Sequence, residues 1–238
     1  MYIQGFNKTS LLDYPGHIAA VIFTPGCNYR CPFCHNTDLV LSGITDGEYE
    51  EEYVLDVLKK RRSILEGVCI TGGEPTLQSD LPDFISKIKE LGYKIKLDSN
   101  GYRPEVLKSI VDTGLVDYIA MDIKNSPDKY ALTCGITNFH IENIYKSIEI
   151  LQTSNIEYEF RTTIVKELHT LEDILSAAAM IKGCRHYYLQ SYIDSGNILE
   201  EGYSAYSAEE LLAIKKAVSS VIPNVELRGV DIERIDHD

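Results

Sequence analysis

The chain has 238 residues, long enough to bury a full core and compatible with a single α/β barrel domain, and its 44% hydrophobic and 25% charged positions are ordinary for a soluble globular protein. A formal net charge of −13 disfavours nucleic acid or an anionic membrane as the main partner. The start, Met1-Tyr2-Ile3-Gln4-Gly5-Phe6-Asn7-Lys8, lacks the charged segment and long apolar core of a signal peptide, and no apolar run approaches the ~18–20 residues of a membrane span, so the cytoplasm is the expected compartment.

In chain order, strand-like and helix-like stretches alternate, which predicts a parallel sheet covered by helices. The first strand is expected at 19–24, and a helix over 49–65, where Tyr53, Leu55, Val57, Leu58, Ile64 and Leu65 recur between charges. A strand at 67–71 and a helix at 82–91 follow, then a strand at 94–98 and a helix at 104–113, whose Pro104 suits a first turn. Strands at 118–123, 158–165 and 186–190 lead into helices at 141–152, 171–182 and 208–221, with a short last strand at 225–227. Six β/α units without a long linker, low-complexity tract or repeat fit an incomplete TIM-type barrel, one domain over 1–238 with its core at about 17–222; a doubly wound open sheet shows the same periodicity. In both arrangements ligand groups belong just beyond the C-terminal ends of the strands.

After the first strand, Cys27-Asn28-Tyr29-Arg30-Cys31-Pro32-Phe33-Cys34 gathers three of the six cysteines at the spacing Cys-x3-Cys-x2-Cys. Structural zinc takes four ligands, usually from paired Cys-x2-Cys units, and an ordinary cubane cluster takes four cysteines. Three thiolates on one loop suit an iron–sulfur cluster that keeps one iron open for a ligand, against the plainer possibility of three neighbouring thiols. Cys69 sits inside an apolar strand and reads as a small core residue, and Cys134 and Cys184 near element ends read as structural, so one cluster is predicted.

The other strand ends carry unusual polar groups. In Thr71-Gly72-Gly73-Glu74-Pro75 the paired glycines let a backbone approach a ligand, or form only a tight connection. Asp98 and Ser99 end the third strand before Asn100-Gly101, itself a good turn. Asp122 and Lys124, two apart on an extended chain, share a face, either as a satisfied ion pair or as ligand groups. Arg161 in the fifth strand is an interior anion anchor or a solvent-facing charge, and Gln190 closes the sixth.

The cysteine loop, with the aromatic Phe33 just before its last cysteine, resembles the radical S-adenosylmethionine (SAM) superfamily. The wider stretch from Leu12-Asp13-Tyr14-Pro15-Gly16 through Phe23-Thr24-Pro25-Gly26-Cys27 to Cys34-His35-Asn36 looks like the activating enzymes of glycyl-radical enzymes, most like that of anaerobic ribonucleoside-triphosphate reductase. The resemblance favours the six-stranded, laterally open partial (βα)6 barrel. It implies a [4Fe–4S] cluster on Cys27, Cys31 and Cys34 whose open iron chelates the amino and carboxylate groups of SAM. It lays Phe33, His35 and Asn36 along the adenine and sets Gly72, Gly73 and Glu74 at the methionyl ammonium, with Asp98 and Ser99 near the same head group. Asp122 would accept from the ribose hydroxyls while Lys124 neutralises the carboxylate. Gln190 is a candidate ribose contact, because Tyr192-Ile193-Asp194 stands where some activases place a histidine.

The implied reaction is one-electron cleavage of SAM to methionine and a 5′-deoxyadenosyl radical, which takes hydrogen from a glycine Cα of a partner. The implied partners are a glycyl-radical enzyme and an electron donor such as flavodoxin or ferredoxin. Two alternatives share parts of this pattern. A small-molecule radical SAM enzyme resembling 7-carboxy-7-deazaguanine synthase would use every motif named, whereas a non-catalytic iron–sulfur carrier would leave residues 72–75, Asp122 and Lys124 without a role. The acidic stretch Asp231-Ile232-Glu233-Arg234 reads as a solvated end.

Overall fold

Short runs rich in Val, Ile, Phe and Tyr form the strands. The computed structural model describes residues 1–45, 47–194 and 196–230, so the acidic stretch from Asp231 to Arg234 lies outside the described residues. Its strands are β1 (Gly5–Ser10), β2 (Ala19–Thr24), β3 (Gly67–Gly72), β4 (Lys94–Ser99), β5 (Tyr118–Asp122), β6 (Glu157–Ile164), β7 (Tyr187–Ser191) and β8 (Val225–Arg228). Between them lie α1 (Thr37–Leu41), α2 (Glu51–Lys60), α3 (Leu81–Glu90), α4 (Pro104–Thr113), α5 (Tyr130–Cys134), α6 (Ile141–Thr153), α7 (Leu171–Met180) and α8 (Ala208–Val218).

The strands lie side by side in chain order in one 8-stranded sheet. β2 to β8 are parallel neighbours, and β1 runs antiparallel along β2 with a register shift between Asn7 and Ser10. β1 and β8 are its two edges and do not pair with each other, so the sheet is an unclosed, partial barrel, as expected. Two local features, β1 and the first long helix, differ from expectation. β1 is polar and half-exposed, which an edge position allows, and so it carries no apolar alternation to read. β8, at Val225–Arg228, is the short last strand expected at 225–227 and is the seventh parallel member of the sheet. The helix expected over 49–65 stops at Lys60: Ile64 is exposed, and Leu65 is buried as the run-in to β3 rather than as a helical position.

Because strand side chains alternate, each strand splits its residues between two faces. One face, with Ile22, Ile70, Leu97, Met121, Phe160 and Leu189, packs with Leu58, Phe84, Leu107, Ile148, Ile174 and Leu211 of the helices in a single core. Each such side chain contributes about 1.5–3 kcal/mol on full burial, so this layer is the main source of cohesion. The opposite face mixes small residues, Ala19, Val21, Cys69 and Ala120, with a set of charges. Deepest among these is Glu159, fully buried, whose carboxylate accepts two hydrogen bonds of 2.7 Å from the Arg228 guanidinium and one of 2.7 Å from the Tyr118 hydroxyl. Arg228 in turn lies 3.3 Å from the centre of the Tyr188 ring. Tyr14, buried against Gly67 and Tyr118, packs at the N-terminal end of this face.

Removing Arg228 leaves a buried carboxylate without its cation. Arg228→Met is expected to cost about 3 kcal/mol in urea unfolding, and Glu159→Gln added to it should return part of that loss. An unchanged urea midpoint in the single variant would mean that Glu159 is satisfied some other way.

Candidate functional site

The loop after β2 folds back on itself and is held from three sides. The Cys34 amide donates to Cys31 O (3.0 Å), and the Arg30 guanidinium donates to Cys27 O (2.6 Å) and Tyr29 O (2.7 Å). From the side of α5, Cys134 O accepts from the Arg30 amide at 2.8 Å, and Gly135 lies so close that a Cβ there would fall 2.2 Å from Arg30 O. From the β3 side, the Glu74 amide donates to Gly26 O at 2.8 Å. A Cβ on Gly73 would sit 1.9 Å from that same oxygen, so the close approach itself requires glycine. Behind the loop, Tyr29, Tyr102, Phe139 and Tyr130 form a chain of ring contacts.

The three thiols are held at this one loop. Burial, reinforced by the Glu74 carboxylate, pushes the Cys27 thiol up to about 12. Burial also raises Cys34. Cys31 goes the other way, because the buried Cys134 thiol donates a hydrogen bond to its sulfur and outweighs burial. Among the described residues no three His, Cys, Asp or Glu side chains converge as the ligands of a single metal ion would. Three thiols on one loop fit the chemistry of a larger iron–sulfur cluster instead. One further observation agrees with a bound group here: the Asn28 amide nitrogen is buried with no hydrogen-bond partner, a loss of about 1–3 kcal/mol that an acceptor on a ligand would recover.

Glu74 is only 1% exposed and is bonded within the protein. Its Oε1 accepts from the Thr76 amide (3.1 Å), the Thr76 hydroxyl (2.6 Å) and the Ser99 hydroxyl (2.9 Å), and its Oε2 accepts from the Asn100 amide (2.7 Å). Three of these four donors fall on one carboxylate oxygen and one on the other, so the protein supplies most of what the group's roughly four lone-pair sites can take. Burial pushes its carboxyl above the usual range against the pull of those donors. Ser99 is committed in the same way, donating to Glu74 and accepting from the Gly101 amide (3.1 Å). Through these bonds Glu74 and Ser99 shape the turns that carry Gly72, Gly73 and Asp98.

Asp98, Asp122, Lys124 and Arg161 are brought together. Arg161 donates to Asp98 at 3.1 Å and to Asp122 at 3.0–3.1 Å, Lys124 donates to Asp122 at 2.8 Å, and Lys96 contacts Asp98. Arg161 is thus an interior residue, bound to two carboxylates across β4, β5 and β6. Burial pushes the Asp122 carboxyl up, but the Lys124 and Arg161 charges outweigh it and hold it at about 2. Three cations against two carboxylates leave this chain one positive charge in excess, which suits an anionic ligand group. The cysteine loop follows the C-terminal end of β2, and Asp98, Asp122 and Lys124 lie at the C-terminal ends of β4 and β5, so in this parallel sheet they share one end; the Lys124 charge favours the thiolate at all three cysteines, against the burial that raises Cys27 and Cys34.

The remaining expected residues are less closely joined. Phe33 is buried in the core, His35 is exposed, and Asn36 precedes α1 with no side-chain cap. Gln190 stands in register with Thr163 and Arg228, outside the ionic chain. Reading the sequence missed Lys96, Cys134 and His169. Lys96 was signalled by the i, i+2 spacing to Asp98 within an apolar strand, the same signal that marked Asp122 and Lys124. His169, buried, donates from Nε2 to Lys124 O (2.7 Å) while Nδ1 accepts from the Val165 amide (3.1 Å), and nothing local in the sequence marks that pairing.

Since Gln offers one acceptor oxygen where Glu74 uses two, Glu74→Gln should destabilise the ligand-free protein by about 2 kcal/mol in urea. A side chain serving only a ligand would leave the ligand-free midpoint where it is.

Comparison with known proteins agrees with this geometry. The family model described as Radical SAM superfamily matches residues 21–181. A Methanocaldococcus jannaschii protein named among glycyl-radical enzyme activating enzymes is 34% identical over 239 residues, 96% of either chain. The pyruvate formate-lyase-activating enzyme of Clostridium pasteurianum is 29% identical over 195 residues, 77% of either chain. Among solved structures, Streptococcus suis SuiB bound to S-adenosylmethionine has a TM-score of 0.66 over 88% of this chain and 50% of that one, at 16% identity, a likeness of fold. With the superfamily model spanning most of its length, and a relative at 34% identity end to end, this chain belongs to the radical SAM superfamily, whose cofactors are a [4Fe–4S] cluster and SAM.

Proposed function

We propose that this chain is a glycyl-radical enzyme activating enzyme that uses SAM and a [4Fe–4S] cluster to place a glycyl radical on a partner, with anaerobic ribonucleoside-triphosphate reductase as that partner. The observation that carries the reading is the cysteine loop and a positively charged ionic chain at the same, C-terminal end of an unclosed parallel sheet. The end-to-end relative named as an activase supports this class over a small-molecule catalyst. A flavodoxin or ferredoxin would supply the electron, and the cytoplasm is the proposed compartment; among the described residues no helix is long and apolar enough to cross a membrane.

In this reading Cys27, Cys31 and Cys34 hold the cluster as thiolates, and loading it releases the protons that burial keeps on Cys27 and Cys34. Lys124 pairs with the SAM carboxylate, using the positive charge that the chain has in excess. Asp122 accepts from the ribose hydroxyls, and Asp98 with the backbone at Gly72 and Gly73 meets the ammonium. Arg161 keeps both carboxylates ionised and fixed. Phe33, His35 and Asn36 border the adenine, and Gln190 the ribose. When bound, cluster and SAM supply the one-electron cleavage that ends in hydrogen abstraction from a glycine Cα. The protein's own task is to orient these groups and keep water away.

Alanine at Cys27, Cys31 or Cys34 should abolish the cluster, read as iron and sulfide content after anaerobic reconstitution. Alanine at Cys69, Cys134 or Cys184 should leave it, and loss of the cluster in any of those three would defeat the one-loop assignment. Lys124→Ala should keep the cluster yet weaken SAM binding at least ~10-fold, the scale of a lost desolvated charge contact; unchanged affinity would place the carboxylate elsewhere. With the partner's glycine deuterated at Cα, deuterium should appear in 5′-deoxyadenosine. Transfer from a small heterocycle, and none from any glycyl-radical enzyme, would turn the assignment to the small-molecule class.

A further inference from the structure

The turn after β4 touches the cysteine loop through one side chain, Asn100, which is 5% exposed. Its Oδ1 accepts from the Tyr102 amide at 3.0 Å, and this fixes which way the amide group points. The nitrogen must then face the cysteine loop, where Nδ2 donates to Asn28 Oδ1 at 2.8 Å and lies 3.9 Å from Cys27 Sγ. Because Asn100 presents a donor, Asn28 must answer with its oxygen. Its own nitrogen is thereby turned the other way, and this is the buried donor that finds no partner among the described residues. The Tyr29 amide supplies one more donor to Cys27 Sγ, at 3.4 Å. The orientation of two side-chain amides is thus set in sequence, from Tyr102 through Asn100 to Asn28, and the last N–H is left buried on the side of the Asn28 amide away from Asn100.

From this arrangement we infer that Asn28 and Asn100 form a donor relay at the Cys27 corner of the cluster, Asn100 donating to Cys27 and holding the Asn28 oxygen, so that the Asn28 N–H is aimed at a cluster sulfur. The inference rests on the proposed cluster ligands. Donors aimed at thiolate or sulfide stabilise the more negative, reduced state and so raise the reduction potential of a cluster. Asn100 is in this sense a positioning residue: part of its effect passes through Asn28. In the ligand-free protein the Cys27 thiol lies 4.0 Å from Asn28 Oδ1 as a donor, and ligation removes that proton.

The test is an EPR-monitored redox titration of the anaerobically reconstituted full chain without SAM, compared with Asn28→Ala, Asn100→Ala, the double variant and Asn100→Asp. Iron content and the urea midpoint of each ligand-free protein are read alongside. Both alanine variants should load iron to the wild-type level and show a midpoint potential more negative than wild type. The double variant should fall short of the sum of the two shifts, because one residue acts through the other. Asn100→Asp, which keeps the Tyr102 contact but replaces the donor by a charge, should shift the potential furthest. A merely structural role would lower iron content or the urea midpoint and leave the potential of the loaded fraction unmoved, and that result overturns the inference. So does a folded alanine variant that takes up no iron. If Asn100→Ala fails to fold, Asn28→Ala decides alone. A wild-type chain that loads no cluster would overturn the ligand assignment and this inference together, whereas a loaded wild type with unmoved variants overturns the inference alone.

Discussion

The Glu74 carboxylate takes donors from the turn after β3 and from the turn after β4, while the Glu74 amide reaches Gly26 in the loop after β2. Desolvating a carboxylate costs several kcal/mol. Four donors offset part of this, each hydrogen bond to a charged group contributing about 1.5–3 kcal/mol. The bargain works only if every donor is in place, so three loops that are separate in sequence become one rigid body. The glycine at position 73 is a consequence, since no side chain fits between Glu74 and Gly26 O once they are drawn together. A cofactor site assembled from loops needs such a brace, because loops seldom keep their own geometry.

The two faces of the sheet divide the work. On the helix side, apolar burial supplies cohesion and has no chemistry to perform. On the other side, charges are tolerated because each is bound to another: Glu159 to Arg228, and Asp98 and Asp122 to Arg161. A closed barrel of this size fills its interior with branched side chains. Here small residues at Ala19, Val21, Cys69 and Ala120 leave the space for long polar ones.

Most of the architecture was legible because the six inner strands β2 to β7 are largely buried and hence rich in apolar residues, and Ala19–Thr24 and Pro104–Thr113 fall where the pattern puts them. The edge strand β1 was not, since a strand with one neighbour needs no apolar alternation. The site divides along a similar line. Cys27, Cys31, Cys34, Asp122 and Lys124 announce themselves by spacing. What the sequence conceals is direction: nothing in Gly-Gly-Glu-Pro says that Glu74 turns inward. Contacts between distant segments are equally silent, as with Cys134 beside Cys31 or His169 beneath Lys124. A strand signals its faces by period, but a loop side chain is aimed by partners that may be far along the chain.

The connection from β7 to α8 returns to the cysteine loop: Asn197 O accepts from the Thr37 hydroxyl at 3.1 Å across 160 residues, its side chain reaches Asp38, and the Glu200 amide donates to Pro32 O at 3.0 Å. The loop after β2 also leans on Cys134 and Gly135. Vectorial synthesis therefore exposes the three thiols early and completes their surroundings late, once the chain past residue 200 has left the ribosome. Until then the loop lacks its buttresses and its cysteines are open to oxidation or to stray metal. For a protein with this topology, cluster loading belongs after the whole chain has folded, and the apo-protein rather than the nascent chain is the form on which an iron–sulfur delivery system would act.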